Sequence, residues 1–126
     1  MSEQIKPTDS EVEILSILWE HGPASVRDVH DILSRKKDAG YTTTLKLMQI
    51  MLQKGLLERD ETNRSHVYKA AVNKEQTQKQ ILKRMIDQVY NGSAAQLVMQ
   101  ALGKHETSPD ELEQIKAYLE KIENKH

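Results

Sequence analysis

The chain has 126 residues, with 18 Lys+Arg balanced by 19 Asp+Glu, no Cys, no Phe and one Trp. That length accommodates one domain or two very small ones, and no apolar run approaches the roughly 20 residues that span a bilayer, which excludes membrane insertion. Missing cysteines remove disulfides, thiolate metal sites and Cys nucleophiles, and a formal net charge of −1 excludes a protein that coats nucleic acid through bulk charge.

Thr8-Asp9-Ser10-Glu11 is a capping box that predicts the start of a first helix. Val12, Leu15, Leu18 and Trp19 recur at helical spacing on one face, and Trp19 is expected in the core. His21-Gly22-Pro23 ends the helix, because Pro restricts the residue before it and Gly tolerates the turn. Ser25 and Asp28 open a second helix with Val26, Val29, Ile32 and Leu33 as its buried face. A third helix is predicted from Tyr41 to Lys54, closed by Gly55 in the left-handed conformation. Two short alternating segments follow, Leu56–Asp60 and Ser65–Lys69, and Glu61-Thr62-Asn63-Arg64 between them reads as a hairpin turn.

Beyond Asn73 the pattern becomes almost continuously helical. Asn73 and Gln76 cap a helix carrying Ile81, Leu82, Met85, Ile86, Val89 and Tyr90. Asn91-Gly92 breaks it. Ser93 and Gln96 cap a shorter helix with Leu97, Val98, Ala101 and Leu102. Ser108-Pro109-Asp110-Glu111 starts the last one, in which Leu112, Ile115, Leu119 and Ile122 repeat at 3–4 spacing. The predicted fold is therefore mainly α. Residues 1–73 form a winged helix-turn-helix domain of three helices plus a two-stranded β wing, and residues 74–126 form a three-helix region. A helical segment of about 50 residues builds too small a core alone, so its apolar stripes are expected to be buried in a homodimer. The dimerisation residues are Ile81, Met85, Val89, Leu97, Val98, Leu112, Ile115, Leu119 and Ile122.

The third helix carries the functional argument. At about 100° per residue, Thr44, Leu47, Met48 and Met51 share one face, flanked by Tyr41 and Leu52. Thr42, Lys46, Gln49 and Gln53 lie opposite, with Thr43 and Ile50 at the edge. No Asp or Glu occurs from Thr42 to Leu57, as a helix meeting phosphates requires. Short hydroxyl and amide side chains reach base edges in a major groove, and Lys serves a phosphate or a guanine. Three successive Thr are poor helix formers, a cost that an idle solvent face has no reason to carry. Arg64 and Ser65 at the hairpin complete the predicted DNA-binding set of Thr42, Thr43, Lys46, Gln49, Gln53, Arg64 and Ser65.

Charge is patterned to match. From Glu3 to Tyr41 five bases face eight acids, whereas from Thr42 to Asn73 five bases (Lys46, Lys54, Arg59, Arg64, Lys69) face three acids (Glu58, Asp60, Glu61). No catalytic, metal or cofactor site is expected. His21, His30, His66, His105 and His126 are scattered, and His105-Glu106 reads as a solvated pair. His66 is expected on an exposed strand. The start, Met-Ser-Glu-Gln-Ile-Lys-Pro, has no apolar signal core, which predicts a cytoplasmic protein. A protein–protein adaptor that docks the third helix on another protein is the alternative reading, and an enzyme finds no supporting site.

The sequence resembles the penicillinase-repressor (BlaI/MecI-like) family from about Pro7 to Glu123. The matching stretches are Glu13-Ile14-Leu15-Ser16-Ile17-Leu18-Trp19 with Gly22-Pro23, Tyr41-Thr42-Thr43 through Lys54-Gly55-Leu56, and Arg64-Ser65-His66-Val67-Tyr68. Asn91-Gly92-Ser93 with Leu97-Val98, and Ser108-Pro109-Asp110-Glu111-Leu112, match the family's dimerisation half. This resemblance implies a homodimeric transcriptional repressor on a palindromic operator of double-stranded DNA, with the third helix of each protomer in a major groove. It also implies release by an external signal, which in relatives comes through a membrane sensor metalloprotease that cuts an Asn-Phe bond. Gln100-Ala101 stands at the corresponding place here, and Ile50 stands where many relatives have Arg.

Overall fold

The computed structural model describes residues 6–60, 62, 66–104 and 106–125, which form six helices and a two-stranded antiparallel sheet. Two compact units are present, Met1–Ile81 and Leu82–His126.

In the first unit, α1 (Asp9–His21), α2 (Val26–Leu33) and α3 (Tyr41–Lys54) precede β1 (Leu57–Asp60) and β2 (Val67–Ala70). The helix starts follow from local chemistry. Thr8 Oγ1 accepts from the Glu11 N–H at 3.3 Å while Glu11 Oε1 accepts from the Thr8 N–H at 2.9 Å, and Ser25 with Asp28 repeats the arrangement at α2. Each closed box satisfies two backbone donors that a helix start leaves without partners. Gly55 ends α3 at φ 85°, and the Leu56 N–H returns to the Met51 carbonyl at 2.9 Å. A Cβ is strained at that φ, so the glycine is the residue that permits the turn into β1.

Buried Ile14, Leu15, Ile17, Leu18, Val26, Val29, Leu33, Met48, Met51, Leu56, Leu57 and Tyr68 form the core. The buried face of α1 is wider than the predicted stripe. Ile14 and Ile17 are inside, whereas Val12 and Trp19 are only half-buried. The cause is that α1 packs against α2, α3 and β2 together, so a single stripe cannot serve all three neighbours. Trp19 sits at the edge of the core and donates its indole N–H to the Val72 carbonyl at 3.1 Å.

The second strand runs from Val67 to Ala70, with the described His66 just before it and the predicted start at Ser65 outside the described residues, in the register Leu57↔Ala70, Glu58↔Lys69, Arg59↔Tyr68 and Asp60↔Val67. Tyr68 also exchanges two backbone hydrogen bonds with Ala24, at 2.8 and 2.9 Å, and the Ala71 N–H reaches the Leu56 carbonyl. The Ala71 bond continues the β1–β2 pairing one residue past Ala70, and the Tyr68 side chain is buried. Next to the turn, the Asp60 carboxylate accepts from both the hydroxyl and the backbone N–H of Thr62, which hold it below its ordinary pKa.

One ion pair ties the helices together. Glu11 is only 2% exposed, and the Lys54 Nζ donates to both its carboxylate oxygens at 2.7 and 2.9 Å. Burial alone pushes the Glu11 carboxyl up, but the Lys54 ammonium and the Thr8 backbone and hydroxyl more than offset it, leaving it below its ordinary value of 4.5. A lowered folded value means stability that is complete above pH 4.5 and lost as pH falls through the folded value. Glu11→Gln is therefore expected to flatten the acid limb of a stability-versus-pH curve measured by urea unfolding. Lys54→Met leaves the carboxylate buried with Thr8 alone and is expected to cost about 2 kcal/mol near neutral pH.

After the wing, α4 (Lys74–Val89), α5 (Ala94–Lys104) and α6 (Pro109–Asn124) follow. Their starts are again local, with Asn73, Ser93 and Ser108 side chains accepting from the Gln76, Gln96 and Glu111 N–H groups. The first turns of α4 stay with the N-terminal unit, where Thr77 is buried and donates to the Asn73 carbonyl at 2.7 Å. Among the described residues from Leu82 onward, no side chain is buried.

Candidate nucleic-acid interface

Helix α3 is amphipathic because its core side is limited to Thr44, Met48 and Met51, with Leu45, Leu47 and Leu52 half-buried beside them. The remaining residues of the helix are exposed, although Tyr41 and Lys54 at its ends have partners on α2 and α1. Thr42, Thr43, Lys46, Gln49 and Gln53 are all exposed, on one helix, as the spacing predicts. Ile50 is 41% exposed beside them. Thr42, Thr43, Lys46, Leu47 and Ile50 line a shallow concavity closed on its other side by Ser10 at the start of α1, a neighbour that no periodicity in α3 could have named. Arg64 and Ser65, the predicted hairpin contacts, lie outside the described residues. His66 is exposed, but it precedes β2 instead of lying on a strand as predicted.

Electrostatics of this face come from fewer cations than the composition suggests. Lys54 is consumed by the buried Glu11, and Lys69 lies 3.3 Å from Glu58 across the hairpin. Arg59 also has a partner. Lys46 forms no ion pair with a carboxylate among the described residues. Counting all five bases of the segment toward the reading elements therefore overstates the free charge there. Lys46 is the described cation of that segment able to serve a new anion without first breaking a pair.

At the other end of the helix the cap residue is Gly40, which offers no side-chain acceptor to the first turn. Early backbone N–H groups therefore point outward without a side-chain partner, at the positive end of the helix dipole. Thr44 is held inward, its hydroxyl donating to the Gly40 carbonyl at 3.3 Å and lying 3.4 Å from His30 Nδ1.

A second apolar surface lies on the later helices. Of the predicted dimerisation residues, Ile81, Leu97 and Ile115 are half-buried, whereas Met85, Val89, Val98, Leu112, Leu119 and Ile122 are exposed. Leu82, Met99 and Tyr118 are exposed as well, with Met99 at 72%. These amphipathic helices thus leave many apolar side chains open among the described residues. Among the described residues no three or more His, Cys, Asp or Glu are grouped so as to hold a metal, and no described helix is long and apolar enough to cross a membrane.

Comparison with known proteins places these features. Residues 7–121 match the family model described as penicillinase repressor. The methicillin resistance regulatory protein MecI of Staphylococcus aureus (strain N315) is 26% identical over 114 residues, covering 90% of this chain and 93% of that protein. The penicillinase repressor of Bacillus licheniformis is 21% identical over 118 residues, covering 94% and 92%. Among solved structures, the solution structure of the monomeric form of Bacillus licheniformis BlaI in complex with the blaP half-operator is similar in fold. Its TM-score is 0.52 at 21% identity, over 59% of this chain and 92% of that one. The free DNA-binding domain of the repressor BlaI gives a TM-score of 0.51 at 22% identity. The first unit has the winged-helix fold of those domains, and the match across both halves is decisive: the chain belongs to the penicillinase repressor family of transcriptional repressors.

Proposed function

We propose that this chain represses transcription as a homodimer on a palindromic operator, with α3 of each protomer in a major groove of double-stranded DNA and the wing along the backbone. The observation that carries the reading is the outward face of α3. Thr42, Thr43, Lys46, Gln49 and Gln53 stand exposed together with no carboxylate among them. A groove-reading helix needs donors and acceptors that reach base edges and no negative charge against the phosphates. The solved relative bound to a half-operator supports the same use of the fold.

Dimerisation supplies the second half-site. Two α3 helices related by a two-fold axis read a sequence with the same symmetry, and the exposed apolar residues of α4, α5 and α6 are the surface that such an axis would cover. On this reading the protein acts in the cytoplasm and leaves DNA when an external signal arrives, proteolysis by a membrane sensor metalloprotease being the route that the family resemblance supplies. Gln100 and Ala101, at the corresponding place, lie exposed within α5. A helical bond must unwind before a protease can hold it extended.

Fluorescence anisotropy on a duplex covering the region upstream of the chain's own gene tests the reading. Tight binding that falls steeply with salt, and exceeds binding to a scrambled duplex, is the expected result. Absent binding, or equal binding to both duplexes, favours an adaptor that docks α3 on a protein.

A further inference from the structure

Tyr41, the first residue of α3, takes part in two contacts that the reading face itself does not use. The Arg27 guanidinium, from the first turn of α2, lies over its ring at 4.7 Å from the centroid. The His30 ring meets it edge-on, with centroids 5.5 Å apart and planes at 86°. His30 is itself braced by Thr44 at 3.4 Å. The tyrosine is thus fixed against α2, and the arginine is fixed on the tyrosine. Arg27 is exposed and forms no ion pair with a carboxylate among the described residues.

We propose that Arg27, stacked on Tyr41, is a pre-ordered clamp for a DNA backbone phosphate beside the start of α3, and that Tyr41 acts as its positioning residue. This inference rests on the DNA-binding reading above and adds to it a contact from α2. In a helix-turn-helix the first helix of the pair crosses the backbone while the second enters the groove. A cation at the start of α2, touching the first residue of α3, therefore stands where the flanking strand passes. Arg suits the task better than Lys. Its planar fork stacks on an aromatic face and still presents N–H donors to two phosphate oxygens. Stacking also removes much of the side-chain disorder that a free arginine would lose on binding. With Lys54 and Lys69 already engaged by Glu11 and Glu58, Arg27 adds free positive charge to that which Lys46 supplies among the described residues.

The test uses the full chain with two labelled duplexes of equal length, one from the region upstream of its own gene and one of random sequence, titrated with salt. Arg27→Ala is expected to weaken binding to both duplexes by about 5- to 10-fold and to lower the slope of log affinity against log salt by about one. Tyr41→Leu is expected to weaken binding by about 3-fold with the slope kept, since the charge remains and only its placement is lost. The double variant should bind no worse than Arg27→Ala, because the ring acts through the guanidinium. An unchanged slope and affinity in Arg27→Ala, while the wild-type chain binds, overturns the clamp alone. So does a loss confined to the upstream duplex, which would make Arg27 a base contact. A wild-type chain that binds neither duplex overturns the DNA reading, and the clamp with it. Far-ultraviolet circular dichroism of each variant confirms that the fold is intact, and Arg27→Lys, which keeps the charge, should keep the slope while losing affinity.

Discussion

Lys46→Glu is expected to reduce affinity for the upstream duplex by about 100-fold, and Lys46→Ala by about 10-fold, with no change in solution mass or thermal stability. The alanine variant loses one phosphate or guanine contact and its counterion release. The glutamate variant also places a carboxylate on a helix face that has none from Thr42 to Leu57. Lys46 is exposed and forms no ion pair with a carboxylate among the described residues, so neither change should disturb folding. Anisotropy and sedimentation on the same samples separate the outcomes. A variant that melts early, or one that binds as the wild type does, rejects this face as the reading surface.

Truncation before Ser93 is expected to have an equally large effect by another route. Removing α5 and α6 discards Leu97, Val98, Leu112, Ile115, Leu119 and Ile122, leaving Ile81, Met85 and Val89 on α4. The remaining chain should sediment as a weakly associating monomer and bind a two-half-site duplex roughly 100-fold more weakly, because two linked half-site contacts become one. Its first unit should remain folded, since the core from Ile14 to Tyr68 lies wholly within residues 1–81. A truncated chain that still dimerises would place the interface elsewhere. A milder version is Val89→Asp with Leu119→Asp, both at exposed positions, expected to lower dimer affinity without melting the first unit.

Much of the architecture was legible because helix boundaries are written in three or four adjacent residues. Thr8 with Glu11, Ser25 with Asp28, and Ser108 with Glu111 all close as capping boxes, and Gly55 takes the left-handed turn. The outward face of α3 was equally readable, since two residues, about 200° of helical turn, separate Lys46 from Met48 and Gln49 from Met51. The buried face of α1 is wider than its stripe predicts, and His66 lies before the second strand rather than within it. Both errors have one source. Val12, Trp19 and His66 satisfy a local pattern, but the number of neighbours around α1 and the hydrogen bonds of Tyr68 to Ala24 are set by how the chain returns on itself.

The sequence by itself determined where helices start and stop, which side of α3 meets solvent and which family the chain resembles, because capping, periodicity and charge depletion all act within a turn or two of chain. Only the tertiary structure decided how that helix is held and what it has to work with. Glu11 read as a capping residue and Lys54 as a free base until they met across 43 positions. Trp19 found its acceptor 53 positions away at Val72, and Arg27 found the ring of Tyr41. Such partners have no local signature, because their energy depends on burial and on distances that exist only once the three helices have packed.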